Sequence, residues 1–236
     1  MEFGLLILGA YLLGSVPVAY LTARLCRGID LRQYGSGHIG AGNLLRATSK
    51  RLTAPVAIYD VGKGAAMVWI AQLVGLGIAQ QVAVGLAAII GHNWPVFLRF
   101  NGGRGVATTL GVAFFLMPWG IAVFVVIASP TILLKSSPLP VLVAIAALPL
   151  ASWGLSQPPA VTLGLLAMFL ILVIRRLTAP RAAIAASVSS RELLVNRLLF
   201  DRDIRDGKAW VNRRPQEASS TKQPMGQQEK PGKVDH

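Results

Sequence analysis

The chain has 236 residues, 53% of them hydrophobic and 14% charged, with a formal net charge of +13 and a mean hydropathy of +0.56. Soluble domains carry roughly 25% charged residues, so this composition marks an integral membrane protein. Such a charge raises nucleic acid as a partner, yet no basic stripe interleaved with aromatics lies in a soluble domain; basic loops that border apolar spans read as topology signals and contacts with anionic membrane lipid.

The first apolar run, about 3–25, begins with Glu2 rather than a basic stretch and is too long for the apolar region of a cleaved signal. It reads as one retained transmembrane helix. Further apolar runs follow at about 53–77, 79–98, 105–117, 119–134, 138–156 and 159–174. The fourth and fifth are short against the ~20 residues of a usual span, so 105–134 is either one tilted helix or two helices turning at Met117-Pro118-Trp119. Loop charge decides the count. Arg24, Arg27, Arg32, Arg46, Lys50 and Arg51 make the first loop cytoplasmic, and about seven spans place Arg99 and Arg104, then Lys135, then Arg175 and Arg176 on that same side. The expected fold is an all-α polytopic membrane protein with about seven transmembrane helices, N-terminus outside and C-terminus cytoplasmic. Residues 1–177 form the membrane domain, 178–215 a cytoplasmic amphipathic and basic segment, and 216–236 a disordered tail whose composition buries no core.

Two loops carry the chemistry. Gly35-Ser36-Gly37-His38-Ile39-Gly40-Ala41-Gly42-Asn43-Leu44-Leu45-Arg46 sets four glycines, a hydroxyl, an amide and a guanidinium between apolar runs. Glycine frees backbone N–H groups to converge on an anion, and arginine offers a fork suited to phosphate. A tight helix-packing turn selects glycine for the same reason. Asn101-Gly102-Gly103-Arg104-Gly105 leads into Val106-Ala107-Thr108, presenting a flexible backbone, a cation and a helix N-terminus, which together suit an anion. His92, at the end of the third run, is a candidate general base or an orienting donor. Asp60 and Lys63 stand three apart on the second run and pair with each other or serve a function there. Asp30 reads as a local salt-bridge partner in the first loop. Cys26 is the single cysteine, and no cluster of His, Asp or Glu suits a metal. Any catalysis rests on binding phosphorylated substrates and stabilising their charge.

The order of these motifs resembles the bacterial acyl-phosphate-dependent glycerol-3-phosphate 1-acyltransferases of the PlsY type, from Gly14-Ser15-Val16-Pro17 to about Arg176. The family's Gly-Ser-Gly-Asn-x-Gly-Ala-Thr-Asn reads here as Gly35–Asn43, with Arg46 following. Its Asp-x-x-Lys-Gly stands at Asp60–Gly64, its Gly-His-x-x-Pro-Val-Phe at Gly91–Phe97, and its Gly-Gly-Lys-Gly-Val-Ala-Thr at Gly102–Thr108, with Arg104 in place of lysine.

The resemblance implies a seven-helix membrane enzyme of phospholipid synthesis, in the bacterial inner membrane and facing the cytoplasm. It moves an acyl chain from acyl phosphate to the 1-hydroxyl of glycerol 3-phosphate, with no metal or cofactor. It implies catalytic roles for Ser36, Arg46, Arg104 and His92, phosphate contacts from Gly35, Gly37, Asn43, Gly102, Gly103, Gly105, Thr108, Ser136 and Ser137, and support from Asp60 and Lys63. It offers no obvious protein base. His38 and Gly42 depart from the family's asparagine and threonine, and the family's C-terminal His-x-x-Asn is not restored around Arg175 or Arg197. The alternatives are a transporter or channel for an anionic phosphorylated metabolite, whose polar site belongs near the midplane at a repeat interface, and an inactive scaffold with a lipid-binding tail.

Overall fold

The computed structural model describes residues 1–129 and 138–213, and among them the regular elements are all helices. The first apolar run is two helices rather than one, α1 (Glu2–Ser15) and α2 (Val18–Arg27). The break falls at Val16-Pro17, because a proline disfavours helical backbone in the residue before it; Val16 is extended at φ −64°, ψ 114°. A 3₁₀ turn at Leu31–Gln33 and the short α3 (Ala41–Ala47) occupy the first basic loop. There Arg32 pairs with Asp30 at 2.6 Å, the local ion pair the sequence leads one to expect.

The remaining apolar helices are α4 (Lys50–Leu73), α5 (Ile78–Asn93), α6 (Val106–Leu116), α7 (Trp119–Ala128), α8 (Leu139–Gly154) and α9 (Pro159–Leu177). The open choice at 105–134 resolves toward two helices, with Met117-Pro118 as the turn between α6 and α7. Past α9 come a 3₁₀ turn at Ala183–Ala185, α10 (Ser190–Phe200) and α11 (Gly207–Val211). The expected tail, 216–236, lies outside the described residues.

Among the described residues, three stretches are long and apolar enough to cross a membrane: Glu2–Arg27, Ile78–Leu98 and Pro159–Leu177. Helix α4 has 24 residues and carries Lys50, Arg51, Asp60 and Lys63, while α6, α7 and α8 are shorter apolar helices.

Lipid tails are as apolar as leucine, so helices in a bilayer associate by close van der Waals approach, which small residues permit. Two crossings show it. Gly14 of α1 lies on the Ala88 carbonyl of α5, and Gly91 of α5 lies on the Tyr11 carbonyl of α1. Likewise Gly64 of α4 lies on the Thr108 carbonyl of α6, and Gly111 of α6 lies on the Val61 carbonyl of α4. Each helix gives one glycine to its crossing, and a Cβ at any of the four strikes backbone. Beside these seams, Val68, Val112, Ile145, Leu148, Leu165 and Met168 form a buried apolar core between α4, α6, α8 and α9. Trp119 and Trp153 face outward, as residues of an interfacial aromatic belt do.

Gly111→Ala therefore forces α4 and α6 apart, and should cost about 1–3 kcal/mol, read as a lower unfolding temperature of the detergent-solubilised protein. Gly62→Ala adds a methyl with nothing within 4 Å of it, and should leave that temperature unchanged or slightly raised.

Candidate active site

The site rests on a buried polar knot. Lys63 Nζ lies 2.9 Å from Asp60 Oδ1 on the same helix, donates to the Gly14 carbonyl of α1 at 3.1 Å, and meets His92 Nδ1 of α5 at 2.8 Å. His92 Nδ1 also lies 3.4 Å from Asp60 Oδ1, so the three side chains close on one another. All three side chains are almost wholly buried. Asp60 and Lys63 pair with each other, and Lys63 ties α4 to α1 and α5. His92 faces Lys63 and a cavity of about 10 Å³ beneath the second loop, room for about one water; it is not among the residues that line the larger cavity.

The second loop is seated on that histidine. Gly103 N–H donates to the His92 carbonyl at 3.1 Å. A Cβ on Gly103 meets the His92 ring and the Ile39 carbonyl of the first loop, and one on Gly102 meets Pro95 and the His92 carbonyl. Here glycine is required for close approach, and the Gly103 N–H is already engaged rather than free for an anion. From the other side Arg175 of α9 donates to Gly103 O at 3.1 Å, Gly102 O at 2.9 Å and Asn101 Oδ1 at 3.1 Å, with its guanidinium 5.9 Å from the Trp94 ring centre. Gly105 caps α6 at φ +75°, where a side chain is strained and meets Asn93. Thr108 is fully buried, with its carbonyl against Gly64 of α4 and its hydroxyl without a hydrogen-bond partner among the described residues.

The first loop is held by Asn43 from within. Its Nδ2 lies 3.0–3.1 Å from the carbonyls of Leu31, Tyr34 and His38, and its Oδ1 accepts from Ser36 N–H at 3.0 Å. Asn43 is 3% exposed, so it shapes the loop from inside and presents no free group to an anion. Gly35 and Gly37 turn the chain at φ +51° and +72°, conformations that suit glycine. These turns leave Ser36, His38 and Arg46 on the wall of a cavity of about 890 Å³.

The opposite wall comes from the segment after α9. Phe200, Asp201, Arg202, Lys208 and Trp210 line the same cavity, and Gly35 N–H donates to the Arg213 carbonyl at 2.9 Å. This roof is pinned in two places. Arg197 Nε meets Asp203 at 2.7 Å while its Nη1 donates to the Leu177 carbonyl at 2.6 Å. Asp201 holds Arg104 at 2.7 Å and Arg176 at 3.8 Å. Arg104, expected to face phosphate, is thus already ion-paired, and it donates to the Arg175 carbonyl at 2.7 Å. Burial pulls its pKa below the ordinary arginine value, partly offset by Asp201. Arg46 is exposed on the cavity wall. The half-buried His38 has its pKa pushed well below the ordinary value, by burial first and then by Arg104, Arg175, Arg213 and Arg197.

Ser136 and Ser137 lie outside the described residues. Among those described, no group of three or more His, Cys, Asp or Glu could hold a metal ion. Sequence reasoning took Arg175 as a topology signal and as a departure near the C-terminal motif, not as a clamp on the second loop, and passed over Asp201, whose partners lie far off in the chain.

Fold and site together define a polytopic helical membrane protein that presents the first glycine loop and the cations Arg46, Arg202 and Lys208 to a cavity of about 890 Å³. The glycerol-3-phosphate acyltransferase family model matches residues 4–184. Glycerol-3-phosphate acyltransferase 5 of Dehalococcoides mccartyi is 44% identical over 219 residues, 90% of this chain and 94% of its own length. The glycerol-3-phosphate acyltransferase of Dinoroseobacter shibae is 42% identical over 170 residues, 72% and 83% of the two chains. Crystal structures of PlsY, an integral membrane glycerol 3-phosphate acyltransferase, in its glycerol 3-phosphate and lysophosphatidic acid forms give TM-scores of 0.69 and 0.67. Both are 32% identical and cover 75% of this chain and 88% of theirs. The chain belongs to the glycerol-3-phosphate acyltransferase family.

Lys63→Met strands Asp60 inside the bundle and should cost about 3–5 kcal/mol, read by thermal unfolding. Asp60→Asn combined with Lys63→Met removes the uncompensated charge and should recover a large part of that loss, a coupling that a double-mutant cycle measures.

Proposed function

We propose that this chain transfers an acyl group from acyl phosphate to the 1-hydroxyl of glycerol 3-phosphate, releasing lysophosphatidic acid and phosphate. It does so at the cytoplasmic face of the bacterial inner membrane, from a bundle of seven spans with the N-terminus outside. The observation that carries the reading is the chamber of about 890 Å³ in which the first loop sets Ser36 and Arg46 opposite Lys208, in a chain of this family.

Both substrates are anions, and the donor is a mixed anhydride whose leaving group is phosphate. The protein's task is therefore to hold two phosphates against their mutual repulsion and to stabilise charge that grows at the acyl carbonyl and the departing oxygen. Arg46 and Lys208 stand on the chamber wall with no side-chain partner among the described residues and can meet phosphate. Arg104 and Arg175, fixed by Asp201 and by the Gly102–Gly103 carbonyls, add positive potential that is preorganised and costs no reorganisation in the transition state. Ser36 offers its hydroxyl to the reacting oxygen or to phosphate. Ser136 and Ser137 are further phosphate contacts in this reading.

Membranes supplied with labelled glycerol 3-phosphate should form lysophosphatidic acid with palmitoyl phosphate and none with palmitoyl-CoA; product from neither donor sinks the reading. Arg46→Ala removes a charge-assisted contact worth roughly 1.5–3 kcal/mol and should lower that rate at least tenfold at unchanged expression. Orientation has its own probe. Cys26 is exposed beside the first basic loop, so a membrane-impermeant maleimide should label it only after the membrane is opened from the cytoplasmic side.

A further inference from the structure

A surface helix of a soluble protein turns its apolar stripe inward, and α10 (Ser190–Phe200) does the reverse. Asn196 and Arg197 are 3% and 4% exposed, while Leu194, Val195, Leu198 and Leu199 are 50%, 47%, 39% and 37% exposed. At 3.6 residues per turn those four share one face with Arg191, opposite Leu193, Asn196, Arg197 and Phe200. The inner face is polar for a local reason. Asn196 donates to the Asp203 carbonyl at 3.5 Å and Arg197 meets the Asp203 carboxylate, so this face pins the chamber wall.

The position of α10 decides what meets its outer face. Arg176, in the last turn of α9, donates to the Leu198 carbonyl at 3.1 Å and to the Pro138 carbonyl, just before α8, at 3.3 Å. Arg197 returns a bond to the Leu177 carbonyl, the last residue of α9. The C-terminal half of α10 is therefore fixed at the level where α8 begins and α9 ends. Helix α9 is long and apolar enough to cross a membrane, so that level is the edge of the apolar bundle.

We propose that α10 lies in the membrane surface, with Leu194, Val195, Leu198 and Leu199 set into the boundary between headgroups and acyl chains of the surrounding bilayer. The proposal stands apart from the acyl-transfer reading and needs only that α9 crosses the membrane. Charge favours lipid as the occupant. Residues 178–213 carry seven Arg and Lys against four Asp and Glu, and basic segments beside a membrane span are drawn to anionic lipid. Arg191, on the apolar face itself, has no ion pair or side-chain hydrogen bond among the described residues. Its stem can lie along the leucines while its guanidinium reaches the phosphate layer. Helix α10 lies beyond residues 4–184, which the family model matches, so this contact belongs to the added segment. Through it the bilayer surface and the chamber wall are joined by one short helix.

The test attaches a polarity-sensitive dye to the full chain carrying Cys26→Ser and Leu198→Cys, in bilayers of phosphatidylethanolamine and phosphatidylglycerol. Leu170→Cys, on the outward side of α9, calibrates the acyl-chain signal. The expected result at the Leu198→Cys site is blue-shifted emission, quenching by lipid brominated high on the acyl chain, and shielding from aqueous iodide. Val195→Cys should give the same pattern, so the result does not hang on one substituted position. Adding Leu194→Ser and Leu199→Ser to the Leu198→Cys chain should abolish the lipid quenching at unchanged unfolding temperature, since both leucines are exposed. Iodide quenching without quenching by brominated lipid places the face in water and overturns the proposal. Shielding from both quenchers overturns it as well, since the face is then covered by protein.

Discussion

One ammonium group inside the bundle fixes the rest. Lys63 Nζ reaches the Gly14 carbonyl, Asp60 and His92 Nδ1, and so ties α1, α4 and α5 at one point. Three partners use the three donors of an ammonium, which is the condition under which a charge tolerates burial in a bilayer protein. The knot passes its rigidity outward through His92. Its carbonyl holds the Gly103 N–H, and its ring is the surface on which Gly103 lies. The glycine seams bring the helices close enough for those short contacts to exist at all.

The outer part of the site obeys a different constraint, an excess of positive charge. Arg104, Arg175, Arg176 and Arg197 are all largely buried near one another, and like charges at such separations repel. Asp201 and Asp203 divide them into local pairs, while backbone carbonyls take many of the remaining N–H groups. Both carboxylates come from the roof. The last helices and the second glycine loop thus depend on each other, although 97 residues separate Arg104 from Asp201.

Apolar runs and proline positions made the helices legible in the sequence, because length and hydropathy are local properties. The seven runs fall on α1 with α2 and on α4 through α9. The first run is one stretch long and apolar enough to span, Glu2–Arg27, but its break into α1 and α2 is less legible because its composition stays apolar through Val16-Pro17 while its backbone does not stay helical. Site residues were legible where chemistry is local: the glycines, Arg46, and the Asp60 and Lys63 pair. Their division of labour was not. Asn43 and Thr108 face inward, and Gly103 gives its N–H to His92, each decided by a neighbour on another element. Arg175 and Asp201 escaped for the same reason, since their partners are set by tertiary packing.

The bond from Gly35 to Arg213 closes a loop over nearly the entire described chain. A ribosome delivers Gly35 long before Arg213, so a nascent chain with its spans already inserted still has an open trough where the chamber will be. The opposite wall is made only after the last apolar helix, α9. Completion of the chamber is therefore a step that follows synthesis of the apolar helices, and a chain stopped before it leaves Arg46 without the wall that faces it.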